Sequence, residues 1–249
     1  MRLPFHPFVL LLAFVCLGVP SVNAEDHATS PAATLAERYG LSGWGEIESI
    51  QYTFNVSLPD GRTITRAWIW RPIEGVFTAS MSIMVSPDGT RTVANGDDIF
   101  HPVAGDGDVG SGAAGHPQFI NDSYWLVFPF QLVWSDPKVT DAGMQPLPLG
   151  GGEGQKLICQ WPAEGGYTPG DAYDLYLGED GLIQQWVFRW GGQDNGRAHT
   201  WEDHQQLGPI IVSLDHHGPE GSGFRLWFTD VKATLTDGTV VEPQPIAEP

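Results

Sequence analysis

At four places in this chain an Asp-Gly pair separates two segments in which apolar side chains recur at every second position. Ile50, Tyr52, Phe54, Val56 and Leu58 alternate before Pro59-Asp60-Gly61, and Ile64, Trp68 and Trp70 share one side of the return. Phe77, Ala79, Met81, Ile83 and Val85 alternate before Pro87-Asp88-Gly89, and Tyr173, Leu175 and Leu177 before Glu179-Asp180-Gly181. Thr236-Asp237-Gly238 is the fourth turn. Period two sends successive side chains to opposite faces of a strand, and Asp and Gly both tolerate the positive φ of a tight hairpin. The chain is therefore expected to be mainly β, an antiparallel meander of roughly nine to eleven strands.

Helix signals are confined to the region before the first strand. Ser30 can cap, Pro31 suits the first helical position, residues 32–39 are helix formers, and Gly40 stops them. Two long stretches interrupt the meander: residues 94–117, rich in Gly and Asp, and residues 135–154, rich in Pro and Gly. Structureless loops of that length are commonly functional or mobile. Between them, residues 121–134 form the densest apolar run. Tyr124, Leu126, Phe128, Phe130, Leu132 and Trp134 would share one strand face, yet Trp125, Val127, Pro129 and Val133 make the other face apolar too. The run must be enclosed by protein or offer apolar surface to a ligand. Pro129 cannot donate to a ladder, so the expectation is an edge strand, or two short pieces joined at the proline, covering the sheet.

Residues 1–24 read as a cleaved secretory signal: Arg2, an apolar stretch over residues 8–17, and the small-residue pattern Val22-Asn23-Ala24. No stretch of membrane-spanning length follows. Val15 before Cys16 and the late polar residues do not fit a lipid-anchor site. The protein is expected to be exported, periplasmic or extracellular. Without Cys16 only Cys159 remains, which excludes an intramolecular disulfide; with no His near it in sequence, it reads as a small buried hydrophobe. A net charge of −18, with only Lys138, Lys156 and Lys232 as lysines, opposes binding to nucleic acid or anionic lipid headgroups. The division read from the sequence is 1–24 signal, 25–45 a segment with a short helix, 46–241 one β domain, and 242–249 a flexible tail.

Three stretches resemble the LolA/LolB-like lipoprotein-carrier superfamily, and more closely an uncharacterised exported family within it. Asn121-Asp122-Ser123-Tyr124-Trp125-Leu126 with Pro129 is similar to that family's central motif. Gly166-Tyr167-Thr168-Pro169-Gly170-Asp171-Ala172-Tyr173 with Leu175-Tyr176 is similar to the start of one of its strands. Trp201-Glu202-Asp203-His204, Leu207-Gly208-Pro209-Ile210 and Phe228-Thr229-Asp230-Val231-Lys232 are similar to its closing strand pairs. The resemblance runs over roughly residues 46–235. It implies an open, curved antiparallel half-barrel with short covering helices over an apolar interior, a shape that carries acyl chains in the lipoprotein-transport proteins. No position matches the carriers' functional residues, so none is carried over.

Catalytic signatures are weak. His199, Glu202, Asp203 and His204, followed by Asp215, His216 and His217, contain residue types that bind zinc. Along a strand, however, His204 shares a face with Glu202 and His199 with Asp203. The candidate metal set is His199, His204, Asp215 and His216. Glu202 with Asp171 or Asp174 would be a glycosidase pair of the kind any acidic chain supplies. No Gly-x-Ser-x-Gly elbow, phosphate loop or Cys-His pattern occurs. The leading expectation is a non-enzymatic protein without cofactor that binds a lipid, an acyl-bearing ligand or a lipoprotein, with Trp68, Trp70, Tyr124, Trp125, Phe128 and Phe130 lining its cavity. Two rivals stand beside it: a secreted carbohydrate-binding or carbohydrate-acting β protein, and a zinc-dependent hydrolase. Nothing in the sequence sets the oligomeric state.

Overall fold

The computed structural model describes residues 30–94, 98–100, 116–165 and 169–246. The expected signal at residues 1–24 and most of the 94–117 stretch lie outside these residues. Helix α1 is Pro31–Arg38, followed by a 3-10 turn at Leu41–Glu46. Then come β1 (Ile47–Ser57), β2 (Thr63–Arg71), β3 (Val76–Val85), β4 (Arg91–Ala94), β5 (Asp98–Phe100) and a second helix, α2 (His116–Trp134). The rest is strand: β6 (Lys138–Pro146), β7 (Glu153–Gln160), β8 (Ala172–Leu177), β9 (Ile183–Arg189) and β10 (Arg197–Thr200). β11 (Glu202–Leu207), β12 (Ile210–His217), β13 (Arg225–Leu235), β14 (Val240–Val241) and β15 (Gln244–Pro245) complete the order.

The mainly antiparallel β reading holds, and the strands form two sheets rather than one, neither closed into a barrel. The first runs β15-β11-β12-β13-β1-β2-β3-β4, with β14 on β13 and β5 on β3. The second runs β10-β9-β8-β7-β6. The chain passes from the second sheet to the first at Trp201, which is 2 % exposed and donates its backbone N–H to Gln184 O at 2.7 Å. One cluster of buried residues draws on both sheets and both helices. Five of the fifteen described strands are four residues or shorter, and these short edge pieces lift the number above the expected range.

The four Asp-Gly turns share one construction. Each loop has three residues, with glycine at φ 83° (Gly61), 82° (Gly89), 74° (Gly181) and 86° (Gly238), the left-handed position of the three-residue hairpin. Each aspartate accepts the backbone N–H two residues on: Asp60 from Arg62, Asp88 from Thr90, Asp180 from Leu182 and Asp237 from Thr239, at 2.8–3.1 Å. Helix α1 is capped as expected, Ser30 Oγ accepting from Ala33 N at 3.1 Å. Gly40 ends the helical region at φ 90°, where a β-carbon would stand 2.3 Å from Pro209 O.

Three expectations are corrected. Residues 121–134 are helix, not strand. Asp122 to Tyr124 and Leu126 to Phe130 are buried, so the helix is enclosed on nearly every side and has no polar stripe to reveal its period. Pro129 is accommodated by a break just before it: Val127 has φ −129°, ψ 26°, which relieves the clash of the proline ring with the preceding turn. Residues 135–154 contain most of the β6–β7 hairpin. β6 is largely exposed, with a register shift between Asp141 and Met144, so it lacks an alternating signature. The segment read as a tail instead pairs Gln244 and Pro245 with β11. Among the described residues, no helix is long and apolar enough to cross a membrane.

Candidate functional site

Period two along β1 puts Phe54, Val56 and Leu58 on one face, opposite Ile64 and Arg66 of β2 in the ladder. Period two along β9 does the same for Trp186 and Phe188, continued by Trp190 in the following 3-10 turn. Their ladder partners on that face are Tyr173 of β8 for Phe188, and Arg197 and His199 of β10. These two faces, one from each sheet, diverge around the first half of α2. The result is a half-open cleft of about 1150 Å³. Ile120, Tyr124 and Trp125 of α2 form its floor, and Phe224 closes one side. The size is somewhat above the roughly 300–1,000 Å³ usual for pockets that bury small ligands.

The floor is built from aromatic rings in contact. Trp125 lies 4.6 Å from Trp186, 5.1 Å from His199 and 5.2 Å from His216, centroid to centroid. Beneath it Phe128 touches Tyr173 at 4.7 Å and Trp186 at 5.0 Å in edge or tilted geometry. Replacing Phe128, which is fully buried, with alanine is expected to lower stability by about 3–5 kcal/mol in urea unfolding.

One buried ion pair fixes helix to sheet. The Asp122 carboxylate, wholly buried, accepts from Arg66 Nε at 2.6 Å and Nη2 at 2.5 Å, from Trp68 Nε1 at 2.9 Å and from Asn121 Nδ2 at 3.0 Å. Burial pushes the carboxyl pKa up, while Arg66, Asn121 and Trp68 pull it down. Arg66 also lies 4.8 Å over the Phe54 ring, so the cation contributes its flat face to the cleft. A second network holds the rim: Asp171 accepts from Gly191 N at 2.7 Å, and Arg189 reaches Asp174 at 2.8 Å. Trp190, 71 % exposed, is thereby positioned over the mouth.

Of the residues expected to line a cavity, Tyr124 and Trp125 stand on the cleft wall. Trp68, Phe128 and Phe130 are core, at 1 % exposure or less. Trp68 packs edge-on against Phe77 and Phe119, and Trp70 against Trp44, Phe119 and Trp134. The inner face of β2 runs on past the cleft and under α2, which covers both tryptophans. Sequence reasoning missed Phe54, Val56, Ile64, Phe188 and Phe224 as lining. Their alternation was readable, but the face that meets a cleft rather than the core depends on where the two sheets part.

The expected metal residues have separate partners. The β11–β12 register pairs Glu202 with Asp215 and His204 with Ser213, so it does not oppose histidine to histidine. Tyr39 Oη accepts the Ile183 N–H at 3.0 Å and shares a hydrogen bond with His204 Nε2 at 2.9 Å. His216 Nδ1 lies 3.2 Å from Thr200 O. Asp215 binds Arg225 at 2.8 Å and His217 at 3.3 Å. His199 lies edge-on to Trp125 and tilted against Phe224, its Nδ1 buried with no hydrogen-bond partner among the described residues. Burial lowers the pKa of His199 and His204 to about 4 and of His216 to about 3, so all three are neutral at pH 7. Among the described residues no group of three His, Cys, Asp or Glu is placed to hold a metal ion. Asp171 and Asp174, weighed as glycosidase partners of Glu202, are engaged in the rim network, and Glu202 is exposed on β11. Cys159 is buried, and burial pushes its thiol pKa up.

No protein-family model matches the chain, and no curated protein matches it. Among solved structures it is similar to a DUF1329 family protein from Desulfovibrio piger, at 11% identity and TM-score 0.40, covering 80% of this chain and 90% of that one. It is also similar to a LolA superfamily protein from Nitrosomonas europaea, at 11% identity and TM-score 0.42, covering 80% and 92%.

Proposed function

We propose that this chain is a non-enzymatic binding protein that holds an apolar, acyl-bearing ligand in the cleft between its two sheets. The observation that carries the reading is the cleft wall: Phe54, Val56, Ile64, Trp125, Phe188 and Phe224 present a continuous apolar surface in a space of about 1150 Å³. An alkyl chain placed there leaves water for a wall with which it competes for no hydrogen bond. The leader-like residues 1–24 support a role outside the cytoplasm. N-terminal sequencing of the exported protein is expected to begin at Glu25.

Binding is testable without knowing the natural ligand, because Trp125, Trp186 and Trp190 line the cleft and report through their fluorescence. Alcohols of increasing chain length are expected to bind about fourfold tighter per added methylene, the equivalent of ~0.8 kcal/mol per buried CH₂, until the cleft is full. Ile64→Glu puts a charge on a half-buried part of the wall and is expected to weaken every member of the series at least about tenfold, with urea unfolding as the control for folding. A flat chain-length series would remove the proposal. Specific binding on a glycan array in its place would favour the carbohydrate reading, for which Trp190 is the one strongly exposed tryptophan at the cleft.

A further inference from the structure

The geometry points to an anion-binding subsite at the mouth of the cleft, centred on Arg197, so that the bound molecule is a long-chain amphiphile with an anionic head, a carboxylate in the simplest form. The inference rests on the apolar-cleft reading and names the other end of the ligand. Two arginines stand on the cleft wall. Arg66 is consumed by Asp122. Arg197 is exposed, and among the described residues it has neither an ion pair nor a side-chain hydrogen bond. Arg62, Arg66, Arg189 and Arg225 each pair with an aspartate, whereas Arg38, Arg71, Arg91 and Arg197 form no ion pair among the described residues; of these four, Arg197 is the one on the cleft wall. The remaining acid on the cleft wall, Asp171, is turned to Gly191 N.

The surroundings suit a head group rather than a free-standing surface charge. Arg197 faces Phe188 directly across the ladder, with Trp190 beyond, so the apolar wall leads up to the guanidinium. A charge beside low-dielectric walls attracts an anion more strongly than one standing free in water. A guanidinium also offers a planar fork that matches a carboxylate. His199 is the second, independent feature. It lies two residues along the same strand face, about 7 Å deeper. It is 8 % exposed, lines the cleft, and its buried Nδ1 is without a partner. A neutral imidazole there keeps a second charge out of the rings that line the cleft below Arg197.

The test uses three probes with one tail, dodecanoate, dodecanol and dodecyltrimethylammonium, titrated into the mature protein below their micellar concentrations and read by calorimetry. Dodecanoate is expected to bind about tenfold tighter than dodecanol, with the cation weakest. Arg197→Gln is expected to abolish the preference for dodecanoate over dodecanol, whereas Arg197→Lys keeps most of it. Equal affinity for dodecanoate and dodecanol in the unsubstituted protein, or a preference that survives Arg197→Gln, overturns the subsite while leaving the apolar cleft standing. Failure of all three probes to bind overturns the cleft reading itself.

Discussion

Asp122→Ala is expected to lower the stability of the protein by about 3–5 kcal/mol, the range for breaking a buried ion pair by removing one partner. The carboxylate is wholly buried and takes four donors at 2.5–3.0 Å, from Arg66 twice, Trp68 and Asn121. Alanine leaves a guanidinium that is only 14% exposed without its counter-charge, and the indole N–H of Trp68, at 1 % exposure, without an acceptor. The Trp68 indole cannot turn to water, and the guanidinium keeps only a small exposed part, on the cleft side. The link is also mechanical, since Asp122 belongs to α2 and Arg66 and Trp68 to β2. Asp122→Asn, which keeps the shape and one acceptor, is expected to cost roughly half as much. Replacing both partners, in Asp122→Leu with Arg66→Leu, removes the uncompensated charge, so its cost falls below the sum of the two single changes by about 2 kcal/mol or more. Urea unfolding of the five variants, the two single leucine changes included, decides it. A loss under about 1 kcal/mol for Asp122→Ala would mean that the pair is solvated rather than structural.

The hairpins were legible because two local signals agree there: alternation fixes the strands, and each Asp-Gly pair fixes a turn whose aspartate and glycine have separate jobs. Helix α2 was illegible for the opposite reason. An element enclosed on all sides carries no amphipathic period, and Pro129, which reads as a strand end, is instead absorbed by the break at Val127. β6 hid because an exposed edge strand has no buried face to pattern. Tyr124 and Trp125, expected on a strand, stand on the cleft wall from helix α2. The Asp122–Arg66 pair could not be read, since its members are 56 residues apart and neither sits in a charge pattern. Arg197 was passed over because a single exposed arginine gains meaning only from the wall beside it.

Acidification from pH 6.5 toward 4 is expected to destabilise the protein steeply, through the buried His199 and His216 and the half-buried His204, before most carboxylates titrate. Burial is the largest cause in each: His199 and His204 are lowered to about 4 and His216 to about 3, from an ordinary value near 6.5. A histidine whose folded pKa is depressed is neutral in the fold while the unfolded chain already binds its proton. The unfolded state therefore gains protons relative to the native state between about pH 6.5 and 4. Stability is full above that window and is lost as the pH falls through it. Each such proton gives a slope of about 1.4 kcal/mol per pH unit, so three approach ~4 kcal/mol per unit, against a total stability of about 5–15 kcal/mol. Asp122, whose pKa burial raises, opposes this by as much as one proton. Asp60, Asp88, Asp215 and Asp237 have lowered pKa values, so their loss belongs to more acid conditions. Structurally, a charged His204 would stand against the buried Tyr39 ring, and a charged His216 among Trp125, Trp201 and Phe228. Unfolding free energies measured by urea titration across pH 4–7 are expected to show the slope, and His216→Phe to reduce it by about a third, whatever that change does to stability at pH 7. A stability that stays level down to pH 4.5, or a slope indifferent to His216→Phe, would show that these imidazoles take up protons in the fold as readily as in the unfolded chain.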